Sequence, residues 1–573
     1  MPQGARGTNS SFPVEQAPWL TALLAVVTAL VYWPSFSTWF FLDDFRIILE
    51  NPALHNAFDP SAVWQFSKAR FIASWTLAAN YTVHGEQVFG YHLVNFAIHL
   101  GAGFGLWLLL RGLLGTPALR DGPDWLRWVP WIAAALFLLH PLQTQAVTYI
   151  VQRYTSLMAM FYLLALATWV HARLRASWRL YLACATCAGL AMFSKQTAAT
   201  LPLALVLVEL LFFRRPGARA WAATLALAAL TALACGWLLM QPGFDIVGLT
   251  RETGQIGRVD YLATQMDVLW RYLGLLVFIG EQRLEYDLPL ADGFSLATWM
   301  YAAGHLALIG GAAALWRRLP LVTFGVLFYY LAHVIESSFL PIIDLVFEHR
   351  TYLPNAGALS VVALGLAFLV DRLRMRHFGA IVTLSVLLAV AVAGHARNRL
   401  WADHIAFLQH ETQVSPDSQR AWTSLGKELM REQRFDEALQ ALERAQAIAL
   451  ASEDGRLRPP TLLNMIFALH YTGNNARAVT FANAIDTAAF NATETAFFHE
   501  ARGRALLAMG RAAAARDDLE QAARINPSIA VVTFLAAAEL ELGNRNRAHQ
   551  LARQVLNADP ANRMAREILG NRR

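Results

Sequence analysis

Three cysteines in 573 residues leave no disulfide framework to build on. Cys184, Cys187 and Cys235 all lie inside apolar runs, where a thiol behaves as a small buried residue. Cys184 and Cys187 have C-x-x-C spacing, but no second ligand pair accompanies them to complete a metal or redox site. Charge is scarce as well. Only 15% of residues are Asp, Glu, Lys or Arg, against about 25% in an average soluble protein, and 56% are hydrophobic. That balance excludes a chain that is soluble throughout. The net charge of +6 calls for no nucleic-acid partner, because the basic residues mostly flank apolar runs. No metal constellation stands out. If a divalent ion is used, Asp43, Asp44 and Glu348 are its obvious ligands. The polar start "MPQGARGTNSSFPVEQ" lacks a small-residue cleavage site after a short apolar core, so the first apolar run is expected to remain as an anchor.

What the chain has in quantity is apolar length. From Trp19 to about Ala396, runs near 20 residues follow one another, each enough to cross a bilayer. Eleven spans are expected, near 18–40, 91–112, 129–148, 154–172, 178–194, 197–213, 219–240, 295–316, 319–340, 351–371 and 378–396. Two further segments, "SAVWQFSKARFIASWTLAANYTV" and "DYLATQMDVLWRYLGLLVFIG", are amphipathic and aromatic, and are expected to lie along the interface. The resulting plan is all-α. A cytoplasmic tail at 1–17 precedes a transmembrane domain at 18–396 with an outer loop at 41–90. A linker helix at 397–418 then leads to a soluble repeat domain at 419–573.

Arginines orient the bundle. With the N-terminus in the cytoplasm, every tight cluster falls on that side: Arg111, Arg120 and Arg127; Arg173, Arg175 and Arg179; Arg214, Arg215 and Arg219; Arg317 and Arg318; Arg372, Arg374 and Arg376. An odd number of spans then puts the C-terminal domain outside, together with the loop "FLDDFRIILE". The outer span ends carry acids, cations and amides of both signs, among them Asp43, Asp44, Arg46, His140, Gln143, Arg153, Lys195, Glu348, His349 and Arg350. Charges at membrane depth are costly and mark a polar cavity or a functional site. A transporter would place such groups at midplane and show an internal repeat, and neither is visible.

In the C-terminal part, Trp422, Leu425, Gly426, Ala438 and Ala445 fall at the spacing of a tetratricopeptide helix pair. Gly503, Ala515, Leu519, Ala522 and Pro527 repeat it, as do Leu535, Ala536, Ala548 and Pro560; a weaker unit runs from Thr461 to Ala489 around Ala478. Four such units stack into a short solenoid whose concave face suits a peptide or partner protein. The linker is too rich in Trp401, Ile405, Phe407 and Leu408 for a flexible tether.

The stretches "FLDDFRIILENPALH", "FGYHLVNFAIHL", "LHPLQTQAVTYIVQR", "SKQTAATLPLALVLVEL", "FEHRTYLPNAG" and "RNRLWADHIAFLQHETQVSP", followed by repeats, resemble the membrane glycosyltransferases with C-terminal tetratricopeptide repeats. Animal members are O-mannosyltransferases of the secretory pathway, and bacteria have many relatives. The resemblance covers almost the whole chain in the same order. It implies a GT-C fold, a polyprenyl-phosphate-linked sugar as substrate, and an acidic residue of the first outer loop as catalyst. Asp44 is the expected base, with Asp43 orienting Arg46 or the sugar. Transfer with inversion needs one such base to take the acceptor's proton. Cations must meet the departing lipid phosphate, and Arg153, Lys195, His349 and Arg350 are the candidates. Pro141 breaks a span, so His140 and Gln143 are expected to line the cavity, while Glu348 orients His349 or pairs with Arg350. The acceptor is expected to be a protein Ser or Thr bound through the repeats, with a surface glycan or lipid, or a non-catalytic scaffold, as alternatives. Short loops and no eukaryotic retention signal suit a multi-pass protein of a bacterial inner membrane.

Overall fold

The computed structural model describes residues 18–213, 217–244, 247, 252–280, 282–284, 286, 288–372, 376–452, 457–488 and 490–570. The expected tail 1–17 lies outside them, as do Arg214, Arg215 and Arg374 of the arginine clusters. Among the described residues, every regular element is helical. The chain divides into two compact units, Met1–Asp403 and His404–Arg573.

In the first unit, seven helices are long and apolar enough to cross a membrane: Pro18–Ser37, Val88–Leu114, Ile150–Arg175, Gln196–Phe213, Ala220–Leu239, Pro354–Arg372 and His377–Trp401. A bent pair, Asp124–Leu139 with Pro141–Thr148, makes an eighth if it is one span. The chain is therefore a multi-pass membrane protein. The other three of the eleven expected spans are helices that fall short in length or apolarity. Trp178–Met192 has 15 residues and Pro320–His333 has 14, while Leu296–Ala314 reaches 19 but carries His305 and several small residues.

The 58° bend has a local cause. Pro141 supplies no N–H and forces the preceding residue out of the helical region, so His140 is extended at φ −68° and ψ 128°. Close packing elsewhere rests on glycine. A Cβ on Gly357 would stand 2.5 Å from the carbonyl oxygen of Gly325, so helices Pro320–His333 and Pro354–Arg372 meet backbone to backbone.

Neither amphipathic segment qualifies as a span. The first breaks into helices Pro60–Phe66 and Phe71–His84 around a turn at Lys68–Arg70, and Trp64 packs 5.3 Å from Trp237 and 5.5 Å from Phe71. The second is helix Arg258–Leu275. Its Tyr261, Gln265 and Tyr272 side chains donate to the carbonyls of Glu336, Leu345 and Phe347 at 2.7, 3.0 and 3.0 Å. It thereby splints the irregular stretch that leads to residues 348–350.

The second unit holds the four expected helix pairs: Gln419–Arg431 with Phe435–Ala451, Pro459–Tyr471 with Asn475–Asn483, Ala492–Ala508 with Ala512–Ile525, and Ile529–Glu541 with Arg545–Ala558. The expected linker is divided. Residues 397–401 continue the last long helix, and His404–Val414 is a helix of the repeat unit with Phe407, Leu408, Glu411 and Thr412 buried. Gly426 and Gly503 are equivalent: a Cβ on either would collide with Leu442 or Leu519 of the pair's second helix, at 2.6 and 2.8 Å.

The turn inside each pair needs a left-handed residue, supplied by Gly473, Gly510 and Gly543 in the last three repeats. In the first repeat the same place is held by Gln433 at φ 57°. A side chain in that conformation costs about 1 kcal/mol. Gln433→Gly should stabilise the repeat unit by about that amount, read as a raised midpoint in denaturant with an unchanged slope.

Candidate active site

The loop after the first long helix is set by three anchors. Leu42 adopts φ 43°, a left-handed turn after which Asp43 and Asp44 begin a helical turn that points adjacent side chains in different directions. The backbone N–H of Asp43 donates to the Tyr149 hydroxyl at 2.8 Å. The rings of Phe41, Tyr149 and Trp401 pack together, with centroids 5.6 Å apart for Phe41–Trp401 and 6.1 Å for Tyr149–Trp401.

Asp44 points inward and is only 1% exposed. Its Oδ2 accepts the N–H of Phe41 at 3.0 Å and its Oδ1 that of Val151 at 2.8 Å, so it laces the loop to the start of helix Arg153–Arg175. Burial pushes its carboxyl up to about 8, while the two N–H donors favour the charged form. Asp43 points outward. Its carboxylate is largely exposed and lies 3.9 Å from the equally open Arg46. The adjacent acids thus hold different positions, one sealed and one open.

Arg153, expected to grip phosphate, is wholly buried. Its Nε donates to Asn95 Oδ1 at 2.6 Å, Nη1 to the Thr76 carbonyl at 3.0 Å and Nη2 to the Tyr91 carbonyl at 3.0 Å. It is a clamp joining three helices, with its guanidinium committed internally.

Three cations do meet. Lys195 Nζ lies 2.7 Å from Glu336 Oε1 and donates to Thr155 Oγ1 at 3.0 Å. Arg70 and Arg350 act electrostatically on both Lys195 and Glu336, and all three cations act on His349. Burial pushes the Lys195 ammonium down to about 8 despite Glu336. Burial and these cations hold the His349 ring well below its ordinary range, so it is neutral. Gln145 Oε1 accepts from His349 N–H at 2.7 Å and faces its Nδ1 at 3.2 Å, which puts the ring proton on Nδ1 and leaves Nε2 as a lone pair. Arg350 is fixed by the carbonyls of Asp344 and Leu345 at 2.8 and 3.3 Å. Lys195, His349 and Arg350 are therefore brought together as expected, without Arg153. Arg70 and Glu336 complete the group. Arg70 reaches it from the turn at Lys68–Arg70, donating to Gln196 Oε1 at 3.3 Å. The side-chain pattern that could have pointed to Arg70 was a basic residue within an otherwise aromatic segment.

The remaining expectations are corrected by their partners. Glu348 neither orients His349 nor pairs with Arg350. Its Oε1 accepts from Arg283 N–H at 2.6 Å and Tyr286 O–H at 2.8 Å, and its Oε2 lies 3.9 Å from Arg397. His140 is a satisfied buried ring: Nδ1 accepts from Leu142 N–H and Nε2 donates to the Leu276 carbonyl, each at 3.2 Å. Gln143 is wholly buried, its Oε1 accepting from Asn355 at 3.4 Å. Asp44 and Glu348 are each committed to separate protein partners. Among the described residues, no group of three or more His, Cys, Asp or Glu side chains converges to hold a metal.

This is the arrangement of a membrane-embedded helical bundle carrying an acidic loop and a buried cationic cluster, joined to a tetratricopeptide solenoid. The tetratricopeptide repeat family matches residues 419–451 and 499–529. The chain is also similar to protein O-mannosyl-transferases. It is 24% identical to Tmtc3 of Drosophila melanogaster over 462 residues, 66% of this chain and 48% of that protein. It is 27% identical to TMTC3 of Mus musculus over 164 residues and to TMTC3 of Homo sapiens over 167, each 17% of the relative's length. The chain thus spans at most about half the length of these curated relatives. Among solved structures, a chain of the APC/C hetero-tetramer Cut9-Hcn1 aligns over 96% of this chain and 98% of its own at 14% identity, with a TM-score of 0.26 that carries no inference about fold.

Proposed function

We propose that this chain is a GT-C-type glycosyltransferase of a bacterial inner membrane. It moves a sugar, mannose in the first instance, from a polyprenyl phosphate to a Ser or Thr hydroxyl of a protein held by the repeats on the outer face. The observation that supports this reading most is the pairing of an open carboxylate on a braced loop with a separate buried cluster of cations, in a chain similar to named O-mannosyl-transferases.

The chemistry divides between the two. The acceptor oxygen attacks the anomeric carbon as the bond from that carbon to the phosphate oxygen breaks. The phosphate leaves with the bonding electron pair, and the hydroxyl proton passes to a carboxylate. A base has to touch the hydroxyl it deprotonates. Asp43 is open and Asp44 is sealed with both oxygens occupied, so we assign the base to Asp43 and make Asp44 the brace that positions it, in place of the roles expected from the sequence. Lys195, Arg350 and Arg70 would meet the charge that grows on the leaving phosphate.

The test is transfer itself. Membranes containing the full chain are given polyprenyl phosphate bearing radiolabelled mannose. Label in protein that is released by mild alkaline β-elimination supports the reading. Label that enters only lipid or glycan moves the acceptor to those classes, and no incorporation from any polyprenyl-linked sugar overturns it.

A further inference from the structure

Resting on that reading of the cationic cluster, we infer that Glu336 sets the charge of the site, restricting it to sugars carried on a single phosphate. Lys195, the cation it holds at 2.7 Å, is 3% exposed and Glu336 is 8% exposed, so the pair is largely shielded from water. Arg70 and Arg350 act on the same carboxylate. His349 is neutral and adds no charge. Asp344, half-buried, acts on Arg350 from its own side and supplies that residue's backbone anchor.

Around Lys195 there are thus three cations facing the Glu336 carboxylate, with Asp344 offsetting Arg350 in part, so the cluster keeps a net positive excess. Such an excess in a buried place is costly until an anion fills it. A polyprenyl phosphate sugar is a phosphodiester with one negative charge. On transfer it becomes a phosphomonoester approaching two, since the second ionisation of a phosphate lies near 6. The positive excess therefore gains more from the product-like charge than from the ground state, the condition under which binding accelerates a reaction. A diphosphate-linked sugar leaves with about one charge more, and the Glu336 carboxylate repels that surplus.

The experiment measures affinity of the purified full chain for farnesyl phosphate and for farnesyl diphosphate, reported as a ratio. A ratio does not depend on how much of a preparation is folded. Wild type should favour the monophosphate. Glu336→Gln keeps the shape and removes the charge, and should shift the ratio toward the diphosphate by roughly tenfold. Glu336→Asp keeps the charge and should leave the ratio near wild type. An unshifted ratio in Glu336→Gln, with wild type binding farnesyl phosphate, overturns the charge-setting role and leaves the phosphate site standing. If wild type binds neither probe, the phosphate reading of the cluster itself fails.

Discussion

Asp43→Asn should lose sugar transfer by about 10²–10⁴-fold while keeping normal folding and normal binding of farnesyl phosphate, because it removes only an exposed proton acceptor. Its side chain is open to solvent and braces nothing but Arg46 at 3.9 Å. Asp44→Asn should behave differently. One of its two oxygens becomes an NH2 facing a backbone N–H, either that of Phe41 or that of Val151, so the loop loses an anchor and the protein loses stability as well as rate. The two also separate by pH. Burial holds the Asp44 carboxyl near 8, whereas an unfolded aspartate titrates near 4. Between those values the folded chain keeps a proton that the unfolded chain has lost, so its stability should fall as pH rises through that window. The fall should be absent from Asp44→Asn and present in Asp43→Asn. Thermal unfolding of both variants across pH, with transfer measured at equal protein level, checks the assignment. A fully active Asp43→Asn beside an inactive but stable Asp44→Asn would return the base to Asp44.

A chain ending at Asp403 should bind farnesyl phosphate as the full chain does and lose modification of its protein acceptor by at least about 100-fold. Among the described residues, the repeats show no His, Cys, Asp or Glu group that could hold a metal. On the proposed function, their contribution is to hold an acceptor segment at high effective concentration, which commonly raises overall affinity by 10²–10⁴. The cut falls at the boundary between the two units. A cut after Ser415 is a poorer experiment, since it strands helix His404–Val414, whose Phe407 and Leu408 are buried with the repeats. Transfer to a free hydroxyl-bearing peptide at high concentration should survive the Asp403 cut. Undiminished modification of the protein acceptor by the shortened chain would mean that the repeats serve assembly or localisation.

Much of this architecture was legible in the residues, and the exceptions share a cause. Apolar length marked the long helices, and small residues at repeat spacing marked all four helix pairs, because both signals are local. The meeting of Lys195, His349 and Arg350 was legible because they stand at the ends of apolar runs. The same position misled for Arg153, whose partners Asn95, Thr76 and Tyr91 are far away in sequence and consume its guanidinium. Glu348 misled likewise: its partners Tyr286 and Arg397 have no periodic relation to it. Arg70 was passed over because a basic residue in an aromatic amphipathic stretch reads as a solvated face. That Asp44 and not Asp43 faces inward depends on Tyr149 and Val151, about a hundred residues away, and on the left-handed Leu42, a backbone state that leucine does not advertise.

The aromatic contact of Trp401 with Phe41 and Tyr149 also fixes an order in time. Residues 41–44 emerge from the ribosome early, whereas Trp401 ends the last long helix of the unit and is made after every other span. Until it arrives, the acidic loop lacks one of the three rings that seat it. A partly synthesised bundle can hold all its arginine anchors and still have no organised acid. The acidic loop thus gains its last ring only when the membrane unit is complete, and the second unit begins three residues later at His404.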